Sequence, residues 1–328
     1  MRYGVCRGTS CWILWGAGAL VAMQFFVPRN LYVMGDDSRV PPYNWGICNG
    51  AGDGHVFAAL PLHGVFGIYD VDLTTGAVDA LVNLEGKDAI IPAFDTSNQL
   101  LAFIVESPMS RVHECRLLSV KTGEMRLMHI GEYVVNSLAI IGSDDLLFVG
   151  YPKDGFPSDM GLYSYSGGQR PDSQPVSIHD SRHIEGKVKV VVDQKMLFWT
   201  REEDGRSSIL QSPLETRKSR VVGDGYLYDV SNDGKVLKPD GGLGRWSRVV
   251  MLDSSDGAVV EICDDPQLSH FSACFVNIAG NEEIAVMSTD GHYNVFIDCY
   301  DQTGERSSSL GPVVLLRDRP TWRLQKKE

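Results

Sequence analysis

The side chains best suited to chemistry here are histidines and carboxylates at expected loop ends. His179-Asp-Ser-Arg-His183 spaces two imidazoles four residues apart. On a helix they would share a face and could hold a metal ion. The segment is polar and offers no third ligand, so it reads better as a solvated loop. His63, Asp290 and His292 also fall at expected loop ends. Such groups around a channel could hold a divalent ion for a lactonase or hydrolase acting on a small sugar or lactone. Gly50-Ala-Gly-Asp-Gly54 is dense in glycine, but it lacks the third glycine's spacing and a strand follows it where a dinucleotide loop needs a helix. It is turn chemistry. No G-x-S-x-G, phosphate-loop or H-E-x-x-H motif is present. No catalytic residue, metal ligand or cofactor is therefore assigned.

Binding chemistry is better represented. Two long loops are expected at 151–160 and 238–247, and they carry Phe156, Arg245 and Trp246. Large aromatics and arginine are the residue types that anchor interfaces. The plain alternative is that these aromatics tuck back onto their own domain.

The elements that position these residues follow from a repeat. Tyr69-Asp-Val-Asp-Leu-Thr-Thr-Gly76 is the best copy of a turn between two strands, and related turns end at 123, 168, 216, 257 and 304. Their spacings are 47, 45, 48, 41 and 47 residues. A Gly after Thr, Ser or Asp supplies the positive φ such hairpins need. A second series, a polar turn entering an apolar strand, places its apolar residue at 56, 100, 146, 196, 236 and 284. The two series keep constant phase. Each period then holds four strands in about 45 residues, the arithmetic of propeller blades. The expected fold is all-β: a propeller of about six four-stranded blades over 44–323, with a tail at 324–328. The segment Pro312–Arg323 looks like the start of another blade, so a seventh, or a strand latching onto blade 1, is an open alternative.

Ahead of the repeat, Gly8 to Val27 is an uncharged, largely apolar run preceded by Arg2 and Arg7. Its length just suffices to cross a bilayer as a helix. The positive charge before it orients everything after Val27 to the outside. Residues 1–27 are read as an uncleaved membrane anchor, with a cleaved signal peptide as the alternative and secretion its consequence. Residues 28–43, with three prolines, read as a linker. Net charge is −12, and the two anchor arginines leave −14 on the rest. That sign disfavours nucleic acid. Five cysteines follow the anchor, an odd number, and they read mostly as small apolar strand residues.

Ser231-Asn-Asp-Gly-Lys235 resembles the S-x-D-G-K turn of TolB-type, WD40-like propeller repeats, and Tyr69–Gly76 is similar to their Y-D-x-x-T-G hairpin. The resemblance covers roughly 44–323. It implies a propeller, and one that often serves protein–protein contacts in a bacterial envelope. The expectation is a binding scaffold more than an enzyme, held by its N-terminal helix at the inner membrane with its propeller in the periplasm, and with a protein partner there.

Overall fold

The computed structural model describes residues 46–314, apart from 63–65, 108–112, 157–158, 168–174, 178–183, 217, 241–247 and 291–293. The expected anchor at 1–27, the linker at 28–43 and the tail at 324–328 lie outside the described residues. Among those described, no helix is long and apolar enough to cross a membrane.

The described strands form six four-stranded antiparallel sheets, each built from consecutive segments. Blade 1 is β1 (Ile47–Asn49), β2 (His55–Leu60), β3 (Gly67–Asp72) and β4 (Val78–Val82). Blade 2 is β5 (Asp88–Asp95), β6 (Leu100–Glu106), β7 (His113–Ser119) and β8 (Met125–Met128). Blade 3 is β9 (Tyr133–Ile140), β10 (Asp145–Pro152), β11 (Gly161–Ser166) and β12 (Val176–Ser177). Blade 4 is β13 (Ile184–Val191), β14 (Met196–Glu203), β15 (Arg206–Pro213) and β16 (Arg220–Asp224). Blade 5 is β17 (Asp229–Val230), β18 (Lys235–Asp240), β19 (Arg248–Asp253) and β20 (Val259–Asp264). Blade 6 is β21 (Ser269–Ile278), β22 (Asn281–Thr289), β23 (Val295–Tyr300) and β24 (Arg306–Val314). The count is six. Pro312–Val314, read as the opening of a further blade, instead completes the fourth strand of blade 6.

The second strands are continuous apolar runs because both faces of a blade pack against neighbours. In β2, Phe57 and Ala59 join a cluster with Leu101 and Phe103 of blade 2. Val56, Ala58 and Leu60 join one that includes Cys274 and Val276 of blade 6. Alternation along one strand thus assigns successive side chains to the two blade faces.

The repeated glycine turns join third to fourth strands. Gly76, Gly123, Gly257 and Gly304 all take positive φ, between 73° and 87°. In three of these turns an aspartate at the end of the third strand, or just past it, holds the turn: Asp72 accepts from the Thr74 amide and hydroxyl, Asp253 from those of Ser255, and Asp301 from those of Thr303. This Asx turn is the physical content of the Asp-x-Thr/Ser repeat.

Among the described residues the ring closes directly between blades 6 and 1, without exchange of a strand. The Gly54 amide donates to the Asn277 carbonyl at 2.6 Å, and the Ala279 amide to Asp53 at 3.0 Å. Gly54 sits at φ +74°, so the Gly50–Gly54 segment is the expected turn and also part of the closing seam. The cysteines Cys48, Cys115, Cys263, Cys274 and Cys299 are all buried and free.

Candidate functional site

A propeller's innermost strands carry backbone groups that no strand pairs, so they need partners from elsewhere. Here the partners are side chains of the adjoining blade, at every seam. The Val135 amide (blade 3) donates to His113 Nδ1 (blade 2) at 3.0 Å, and the Val188 amide (blade 4) to Ser137 Oγ (blade 3) at 3.0 Å. The Leu227 amide, entering blade 5, donates to Thr200 Oγ1 of blade 4 at 2.9 Å, and the Phe275 amide (blade 6) to Asp229 Oδ2 (blade 5) at 3.0 Å. At the closing seam the Ile47 amide (blade 1) donates to Ser272 Oγ (blade 6) at 3.3 Å. At the seam between blades 1 and 2 the sense is reversed, with the Phe66 amide, just ahead of β3, donating to Asp88 Oδ1 of the following blade at 2.8 Å.

The ring thereby presents two unlike faces. Antiparallel alternation puts first-to-second and third-to-fourth connections on one face and all the others on the opposite one. The Asx turns sit on the first face. On the second, blade 4 has a two-residue turn, Asp204-Gly205, with both φ positive, while blade 3 carries a longer connection with Phe156.

Phe156 is 55% exposed, an unusual state for a phenylalanine. It is held in place. Its amide donates to Asp159 Oδ2 at 2.7 Å, and the Asp159 amide returns a bond to the Phe156 carbonyl at 2.8 Å. The loop is tied across the face by the Lys153 amide on the Glu132 carbonyl and by the Lys153–Glu132 ion pair. In the same blade Tyr133, Phe148 and Tyr163 form an aromatic cluster with centroids 5.0–5.3 Å apart. Burial pushes the Tyr133 and Tyr163 phenols above their ordinary range.

Asp290 lies on the same face in blade 6, across the ring. Its carboxylate accepts from the Asn294 amide at 3.0 Å and side-chain amide at 2.7 Å, closing the entry to β23. His63, Arg245, Trp246 and His292 lie outside the described residues, as do His179 and His183. The expected loop at 238–247 begins later than its sequence suggests, since Lys238, Pro239 and Asp240 pair with Val250, Val249 and Arg248 inside blade 5. Among the described residues no group of three or more His, Cys, Asp or Glu is placed to hold a metal ion.

One polar cluster was passed over in the sequence. Lys187 and Lys189 stand in β13, the innermost strand of blade 4, where other blades place mostly apolar or small side chains. Lys189 Nζ lies 3.0 Å from Asp229 Oδ1, and the lysine and aspartate side chains retain only 18% and 12% exposure. Lys187 stacks its ammonium 5.5 Å from the Tyr228 ring centroid. The signal was legible as Lys-Val-Lys-Val, two charges in phase on a strand that must be buried.

No family model and no curated protein matches the chain. Among solved structures it is similar to a chain of the nidogen/laminin complex, with 14% identity, a TM-score of 0.54, and coverage of 79% of this chain and 90% of that one. It is also similar to a prolyl endopeptidase, with 14% identity, a TM-score of 0.51, and coverage of 81% of this chain but only 43% of the other. TolB from Acinetobacter baumannii matches with 13% identity and a TM-score of 0.45, over 80% of this chain and 56% of that one. At such identities the first two likenesses establish the fold alone. The propeller that the TolB-type repeats implied is the fold the chain adopts.

Proposed function

We propose that this chain is a binding propeller of the cell envelope, tethered by its N-terminal apolar segment, that docks a protein partner on the face carrying Phe156. The observation that carries the reading is Phe156 itself: a large apolar side chain more than half exposed, on a backbone fixed by the Asp159 bonds. A loop ordered before binding loses less entropy on docking, and a rigid aromatic is the commonest kind of interface anchor. The tether rests on the uncharged run after Arg2 and Arg7, and its orientation on the charge asymmetry around that run. The acidic domain would keep the ring soluble and favour a basic complement on the partner.

The test is partner capture from native membranes by the full chain. Phe156→Ala is expected to weaken capture by about 2 kcal/mol, roughly thirtyfold, while melting as the parent does. Equal capture by parent and variant would remove Phe156 as the anchor. Protease protection in sealed vesicles tests the tether separately.

A further inference from the structure

The cation pair on blade 4 has an arrangement that the seams do not explain. In a closed ring of six, blade 1 stands opposite blade 4. Yet Lys187 and Lys189 of blade 4 influence the thiol of Cys48 in blade 1, and both feel Cys274 of blade 6 and Asp229 of blade 5. All of these residues stand on the innermost strands of their blades, β1, β13, β17 and β21, which ring the axis.

A backbone irregularity sits at Lys187. Glu185 pairs with Arg201 and Val188 with Trp199, so Gly186 and Lys187 together face Thr200 alone. This is a β-bulge, a device that re-aims a side chain. Gly186 is required for it, because a Cβ at that position would lie 2.8 Å from the Thr200 Cβ.

The charges are not balanced. Lys189 has Asp229, and the second oxygen of Asp229 is taken by the Phe275 amide. Lys187 has the Tyr228 ring and feels Asp229 at longer range, but among the described residues it has no carboxylate at ion-pair distance and no hydrogen-bond acceptor. Its ammonium carries three donors. Burial, and then the neighbouring Lys189, pull the Lys187 amine down to about 8. The titratable groups around it are Lys189, Asp229, Cys48, Cys274 and Tyr228; burial pushes both thiols and the phenol up, which keeps them neutral. The axial cluster therefore carries net positive charge inside an acidic protein.

We infer that the axial space at Lys187 and Lys189 is a binding site for a small oxyanion, a free phosphate or the carboxylate of a small molecule, with Lys187 as its principal ligand and Lys189 as its support. This site is independent of the Phe156 face and stands or falls apart from it. A bound oxyanion supplies the acceptors that Lys187 lacks and relieves its repulsion with Lys189.

The experiment uses the full chain in chloride buffer, titrated with phosphate, sulfate or acetate at matched ionic strength and followed by thermal melting. The expected result is a saturable rise in Tm of at least about 2 °C with one or more oxyanions. The rise is absent in Lys187→Met and reduced in Lys189→Met. A response to phosphate and sulfate alone identifies a free inorganic anion, and a response to acetate a carboxylate ligand. No oxyanion-specific rise, or an equal rise in Lys187→Met, overturns the site. Should that variant not fold, the wild-type protein still decides: after reductive methylation with labelled formaldehyde, the Lys187 NMR signal must titrate at higher pH with the anion than without it. An unmoved titration also overturns the proposal.

Discussion

Lys189 and Asp229 meet at 3.0 Å across the seam between blades 4 and 5, and the same carboxylate receives the Phe275 amide of blade 6. One aspartate thus joins three consecutive blades. Most of the other seam acceptors, Ser137, Thr200 and Ser272 among them, are neutral and join two.

Removing that carboxylate leaves a buried ammonium and a buried amide without partners. Asp229→Ala is expected to cost about 3 kcal/mol, read as a lower urea midpoint. The double variant Lys189→Met/Asp229→Leu should recover part of the loss, since it removes the charge as well as its partner. Equal stability of parent and Asp229→Ala would show that the pair does not hold the ring.

Lys187 makes stability depend on alkaline pH in a direction opposite to most groups. Its folded value, about 8, lies below the ordinary 10.5, so between these the unfolded chain holds a proton that the fold has shed. Stability contributed through this group therefore rises with pH across that window. Relative to Lys187→Met, the parent should gain on the order of 2 kcal/mol from pH 7.5 to 10.5. The raised thiols act in the reverse sense, but they are present in both proteins and cancel in the difference. A flat difference across the window contradicts the burial of this amine.

The Asx turns contribute to acid sensitivity. Hydrogen bonds from Thr74 and Thr75 to Asp72, from Ser255 to Asp253, and from Thr303 and Glu305 to Asp301 hold these carboxyls below their usual range. A depressed carboxyl contributes stability above its unfolded pKa and loses it as pH falls through the folded value. The loss is expected to start near pH 4 and continue downward, read by Tm. Asp72→Asn should lie below the parent at pH 6 and converge with it in strong acid. Parallel profiles would detach the turns from acid stability.

The propeller was legible because its turn chemistry repeats. Asp72, Asp253 and Asp301 sit where local hydrogen bonding selects them, and Gly76 and its equivalents where positive φ does, so each copy announces itself without tertiary context. The seams were not legible. Ser137, Thr200 and Ser272 are ordinary strand residues by type, and only the stacking of blades turns their hydroxyls toward a neighbour's amide. Lys187 and Lys189 were readable in principle, because two lysines in phase contradict the apolar character of an innermost strand. Phe156 was found by its type within a long loop, yet neither its exposure nor the bonds of its backbone to Asp159 could be read from sequence.

Ring closure makes its own prediction. Ser272→Ala should cost about 1 kcal/mol and leave the Ile47 amide unpaired. Hydrogen exchange should quicken at Ile47 and across β1 while β9 keeps its protection. Exchange unchanged at Ile47 would argue against the hydroxyl as its acceptor.

The central claim is that the Phe156 face is the docking face, and photocrosslinking in native cells tests it most directly. A photoreactive phenylalanine is placed at 156, and in a control at Val192, an exposed residue of the turn between β13 and β14 on the opposite face. The account predicts a discrete crosslinked protein at 156, absent at 192 and competed away by excess parent chain. The same product from both positions, or none from 156, would contradict it.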